Sequence, residues 1–126
     1  MSIIWLNKKQ KDGVATINLS SITLNKTALL PLEVANKVMV GINKEEKEIV
    51  IKPIDFNKAS RGDLDIETLY KITVKSSYAR ITSKEIISII CDDFNLSFKD
   101  GEAKKYKTMW NEKDNVLLIK MDKEVI

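Results

Sequence analysis

The chain has 126 residues, 44% hydrophobic and 31% charged, a balance that fits a soluble globular protein and excludes a disordered one. With 21 basic and 18 acidic side chains the net charge is +3, which permits contact with nucleic acid without requiring it. There is no histidine and one cysteine, Cys91. That excludes an internal disulfide, a Cys/His zinc site within one chain and any catalytic triad that needs an imidazole.

In chain order, residues 1–11 start apolar but hold no hydrophobic stretch of useful length, so they are not read as a secretory signal. No run approaches a membrane span, and the expected location is the cytoplasm. The Asn-x-Ser/Thr matches at Asn18, Asn25 and Asn95 are then chance. Ile3 to Leu6 reads as a short strand or a docking arm carrying Trp5, followed by Lys8, Lys9 and Lys11. Asp12-Gly13 is a turn signal. Residues 14–19 alternate as a strand, and Ile22-Thr23-Leu24 offers another. Leu29, Leu30, Leu32, Val34 and Ala35 suit a short helix. It should begin near Thr27 or Ala28, since Pro31 costs little in a first turn and about 3 kcal/mol in a helix interior.

Residues 38–54 predict the clearest element, an antiparallel hairpin. Val38, Val40 and Ile42 alternate with Met39, Gly41 and Asn43. The run Lys44-Glu45-Glu46-Lys47-Glu48 is too charged to bury, and Ile49-Val50-Ile51 resumes until Pro53 ends the ladder. Residues 55–63 read as a connector. Tyr70, Ile72 and Val74 then fall in step as a strand, with residues 78–82 its partner across Ser76-Ser77.

The best helix follows. Thr82 and Glu85 have capping-box spacing, and Ile86, Ile87, Ile89, Ile90 and Phe94 supply a wide apolar face. Asp92-Asp93 sits at the unfavourable end of the helix dipole, and Asn95 can end the helix. Asp100-Gly101 marks a turn. A second hairpin runs from Lys105 through a polar tip, Asn111-Glu112-Lys113-Asp114-Asn115, to Met121.

The two halves resemble each other. Ile51-Lys52 follows Asn43-Lys44 at the same distance as Ile119-Lys120 follows Asn111-Glu112. Each hairpin is preceded by a helix and a Ser-Ser-containing β-rich segment. The expected class is α+β, with two β-rich halves, 14–54 and 69–121, each made of strands, a short helix and a hairpin. As a tandem duplication they would form one barrel-like domain over 1–126. The set Ile22-Thr23-Leu24, Pro31, Val38-Met39-Val40 and Ile49-Val50-Ile51-Lys52-Pro53 resembles the AbrB-type swapped-hairpin regulators, small bacterial DNA-binding proteins. That resemblance covers residues 21–54, rests on apolar patterning, and implies interleaved hairpins and DNA binding. The family's Gly-Asp turn and its arginines around the helix have no matches here, so none of its contact residues is carried over.

Few residues invite chemistry. Asp63-x-Asp65-x-Glu67 lacks the glycine and final glutamate of a calcium loop, and Cys91, one turn from Ile87 and Phe94, fits an inert buried thiol. No cofactor, metal or enzymatic activity is expected. Of the basic groups, Lys26, Arg80 and Lys84 stand at the strand-to-helix junctions of the two halves, where they are candidates for double-stranded DNA backbone contact. Groups such as Lys104-Lys105-Lys107 are diluted by acids adjacent in sequence. The function expected is a small cytoplasmic DNA-binding transcriptional regulator of swapped-hairpin type that is non-enzymatic, and either pseudo-dimeric within one chain or dimeric through its hairpins. The alternative is a protein-interaction or assembly module working through strand edges.

Overall fold

The structure is a computed structural model that describes residues 13–33, 35, 37–54 and 69–125. Its strands are β1 (Val14–Ile17), β2 (Ser21–Asn25), β3 (Lys37–Asn43), β4 (Glu48–Ile54), β5 (Tyr70–Lys71), β6 (Thr73–Val74), β7 (Tyr78–Thr82), β8 (Lys104–Asn111) and β9 (Val116–Val125). Its helices are α1 (Lys26–Leu29), which passes directly into a 3-10 turn at Leu30–Leu32, and α2 (Lys84–Phe94). The Trp5 arm, the Lys8 group, the 55–63 connector and the Asp63 cluster lie outside the described residues.

All nine strands form one antiparallel sheet in the order β5-β3-β4-β9-β8-β1-β2-β7-β6. The two end strands are separated only by Ile72, so the sheet curls into a nearly closed barrel. Alternate residues point inward, and Ile17, Ile22, Leu24, Ile49, Ile51, Ile81, Leu117 and Ile119 fill the interior.

The two hairpins, and the two pairs of strands opposite them, hold corresponding places about a pseudo-two-fold in the strand pairing. Hairpins β3–β4 and β8–β9 lie side by side through β4 and β9, with Val50 opposite Leu118. On the far wall β2 pairs with β7, placing Thr23 opposite Arg80. The β1–β2 and β6–β7 registers correspond, Thr16–Thr23 matching Thr73–Arg80. Both tips use the same turn. Asn43 Oδ1 accepts from the Glu46 amide and Asn111 Oδ1 from the Asp114 amide, each at 3.2 Å. Lys47 and Asn115 then take left-handed backbone at φ 55° and 54°. The second half has a longer link between helix and hairpin, whose Leu96 and Phe98 pack against the core.

Several expectations are corrected. Helix α1 starts earlier, at Lys26, because Asn25 caps it by accepting from the Ala28 amide at 3.0 Å. Pro31 is accommodated by the switch to 3-10 winding rather than by a first α-turn. Pro53 lies within β4, opposite Val38, because β9 pairs with β4 only as far as Ile51 and leaves a side where no N–H is needed. Helix α2 is capped by Ser83, not Thr82: Ser83 Oγ accepts from the Ile86 amide, while the Ser83 amide is anchored on the Ser20 carbonyl. Its core face is Ile86, Ile87 and Ile90, and Ile89 is 45% exposed. Glu48 is buried despite its charged neighbours, since β9 brings Lys120 opposite and the two form an ion pair. Asn95 ends α2 in left-handed backbone as expected, and Asp93 is relieved by Lys44 at 3.2 Å.

Candidate nucleic-acid interface

The wall that carries the candidates is built from β1, β2, β7 and β6, with β8 of the second hairpin at its border. Along β2 and β7 the buried residues are Ile22, Leu24, Ala79 and Ile81, so Thr23 and Arg80 face outward. One row crosses this outer face: Lys105 of β8, Thr16 of β1, Thr23 of β2, Arg80 of β7 and Thr73 of β6. Arg80 stands at the pseudo-two-fold. Its guanidinium lies 5.1 Å over the Tyr78 ring and its Nε donates to Thr23 Oγ1 at 3.2 Å. Stacking and one hydrogen bond orient the planar fork, and Arg80 stays exposed to an acceptor that offers two oxygens, such as phosphate.

Lys26 and Lys84 take equivalent places at the two ends of this ladder. Lys26 follows Asn25, which pairs with Tyr78, and Lys84 opens α2 beyond Thr82, which pairs with Ser21. Four residues separate these two rows, about 14 Å at ~3.4 Å per residue, so the three cations reach across roughly one DNA groove. All three are exposed. The β2–β7 ladder thus brings Lys26 beside Arg80 and Lys84, which are far from it in sequence. Helix α1 is a single turn, and the side-chain caps Asn25 and Ser83 take the Ala28 and Ile86 amides.

The distribution of acids sets this wall apart. Residues 13–29, 69–84 and 103–111 contain Lys26, Lys71, Lys75, Arg80, Lys84, Lys104, Lys105 and Lys107 and no aspartate or glutamate. Among the described residues the bounding carboxylates are Glu85 on α2, Glu102 just before β8 and beside the Asn18–Ser20 turn, and Glu124, opposite Tyr106 at the rim of β8. The sequence singles out Lys84 but discounts Lys105 for its chain neighbour Glu102, and it gives no sign of the threonine row. The lack of acids in the wall-forming segments was the available signal, but only the strand order shows that those segments share a wall.

Elsewhere little chemistry is assembled. A cleft of about 350 Å³ lies between the end of α2 and the β3–β4 tip, with Lys44, Lys47, Phe94 and Met121 in its lining, and the Lys44–Asp93 ion pair occupies part of it. Burial raises the Cys91 thiol above its ordinary value, Asp92 adds to this and Lys104 opposes it, so the thiol is held protonated at neutral pH. Burial likewise raises Tyr106, helped by Glu124 and Cys91. Among the described residues no cluster of three potential ligands could hold a metal, and no helix is long and apolar enough to cross a membrane. No protein-family model, curated protein or solved structure matches the chain.

Proposed function

We propose that the chain is a non-enzymatic DNA-binding transcriptional regulator of swapped-hairpin type that grips the duplex backbone with Lys26, Arg80, Lys84 and Lys105. The observation that carries this reading is the carboxylate-free wall with a stacked arginine at its centre. Cations without interspersed acids are what counterion release from DNA requires, and hydroxyl-bearing side chains such as Thr16, Thr23 and Thr73 are common phosphate donors. Each hairpin pairs with strands of the other half, β4 with β9 and β8 with β1, an arrangement of the kind that the AbrB-type resemblance of residues 21–54 implies. An interaction module using open strand edges has less support, because each hairpin already pairs on both sides within one chain.

Electrophoretic shift of a random duplex at graded salt tests this. Binding should be weak and largely sequence-independent, with a log–log salt slope near −3 for three to four phosphate contacts. Replacing Lys26, Arg80 and Lys84 together by alanine should flatten that slope by about one unit per lost contact. Absence of binding by the wild type at low salt would overturn the reading.

A further inference from the structure

The outer face of the paired hairpins, opposite the cationic wall, bears an apolar row: Gly41, Val50, Leu118 and Met109, on β3, β4, β9 and β8 in turn. Val50 and Leu118 face out because their chain neighbours Ile49, Ile51, Leu117 and Ile119 are buried. Met109 is 51% exposed, while a side chain built on Gly41 would meet nothing within 4 Å. Pseudo-symmetry makes Gly41 and Met109 equivalent positions, so the row has a knob at one end and a hole at the other.

We infer that this face is a docking surface for a second copy of the chain. Turn that copy about an axis parallel to the strands through the Val50–Leu118 pair, and the two sheets stack face to face. Met109 of each then lies over Gly41 of the other. The charges agree with this arrangement. The β3–β4 tip, with exposed Glu45 and Glu46, stands at the level of Lys107, because Asn43, Glu48, Lys120 and Lys107 form one row. The β8–β9 tip, with Glu112 and Asp114, stands at the level of Lys52. The same rotation sets each acidic tip over the lysine of the opposite hairpin in the other copy, twice over. Each tip also carries one exposed lysine, Lys47 or Lys113, outnumbered by its two carboxylates, while Lys44 is engaged by Asp93.

Four strands and three residue rows project to roughly 300 Å², well below the ~800 Å² per partner of a standard interface, so the dimer is weak and reversible. It takes up Lys107 and Met109 of β8 and leaves β1, β2, β7 and β6 of the DNA-facing wall free on both copies. The contact is distinct from hairpin exchange, since both hairpins remain paired within their own chain.

Sedimentation velocity from micromolar to millimolar protein at low salt tests the inference, with thermal unfolding as a check on each variant. The wild type should show mass rising toward twice 14.4 kDa, and Gly41→Lys should weaken association about ten-fold or more with little change in melting temperature. Glu46→Lys and Lys107→Glu should each weaken it, and combining them should restore it. A wild type that stays monomeric throughout the range overturns the inference. So does a dimer indifferent to Gly41→Lys, or charge reversals that do not rescue one another.

Discussion

Replacing Lys120 by methionine should be among the most damaging single changes to the seam between the two hairpins. Lys120 is the partner of Glu48, whose side chain is only 6% exposed, against 20% for Lys120. Removing the ammonium leaves a buried carboxylate without its counter-charge, a change that costs about 3–5 kcal/mol in fully buried pairs. Partial access of water at the lysine end argues for the lower figure, about 3 kcal/mol. For a chain of 126 residues, at ~2.1 cal/mol/K per residue of unfolding entropy, that is a fall of roughly 11 °C in Tm. Glu48→Leu should cost less, about 1 kcal/mol, because a lysine left alone can extend its ammonium to water. Glu48→Leu with Lys120→Met should return close to wild type, since Val116, at the position equivalent to Glu48, is apolar and buried. Urea denaturation followed by circular dichroism measures all four corners of the cycle. Loss of less than about 0.5 kcal/mol in Lys120→Met, or a double variant as unstable as that single one, would refute the reasoning.

Ile90→Ala should destabilise by about 2–5 kcal/mol and Ile89→Ala by less than about 1 kcal/mol, because Ile90 is fully buried and Ile89 is not; equal losses in chemical denaturation would mean that α2 is rotated. Gly13→Ala should cost about 1–3 kcal/mol, since its Cβ would sit 2.3 Å from Thr108 Oγ1, and Thr108→Ala in the same chain should recover most of it. Stability should decline from about pH 9 upward. The folded-state values of Cys91 and Tyr106 lie above their ordinary 9.0 and 10.0, so the unfolded chain deprotonates first and the stabilisation is lost as pH rises through the folded values. Melts of Cys91→Ser and Tyr106→Phe should each show a shallower alkaline fall than wild type.

What the sequence made legible was local. Charged tips between β-branched runs, Asn95 at a helix end, Gly101 in a turn at φ 78° and the matched spacing of the two hairpins all depend on chain neighbours. What it hid depends on distant partners. Ile86, Ile87, Ile89 and Ile90 span so wide an apolar arc that periodicity could not choose which one faces water, and packing left out Ile89. Thr82 and Ser83 are adjacent hydroxyls, and the Ser83 amide bond to Ser20, which precedes the neighbouring strand β2, selects the second as cap. Glu48 reads as a tip residue until β9 supplies Lys120. Gly13 reads as a turn residue, yet its role is close approach to β8, where the Thr108 amide donates to its carbonyl at 3.0 Å. The candidate site was half legible. Lys26, Arg80 and Lys84 could be picked out as junction residues, but their alignment on one ladder, and the company of Lys105 and the threonines, follow from β2–β7 and β1–β8 pairings between segments far apart in the chain.

The most direct test of the central claim is backbone amide NMR during titration with a short random duplex at low salt. Shifts should concentrate at Thr16, Thr23, Lys26, Thr73, Arg80, Lys84 and Lys105, collapse on raising salt, and largely disappear in the triple alanine variant. An unperturbed spectrum, or shifts gathered instead around Met109, Leu118 and Val50, would contradict the account.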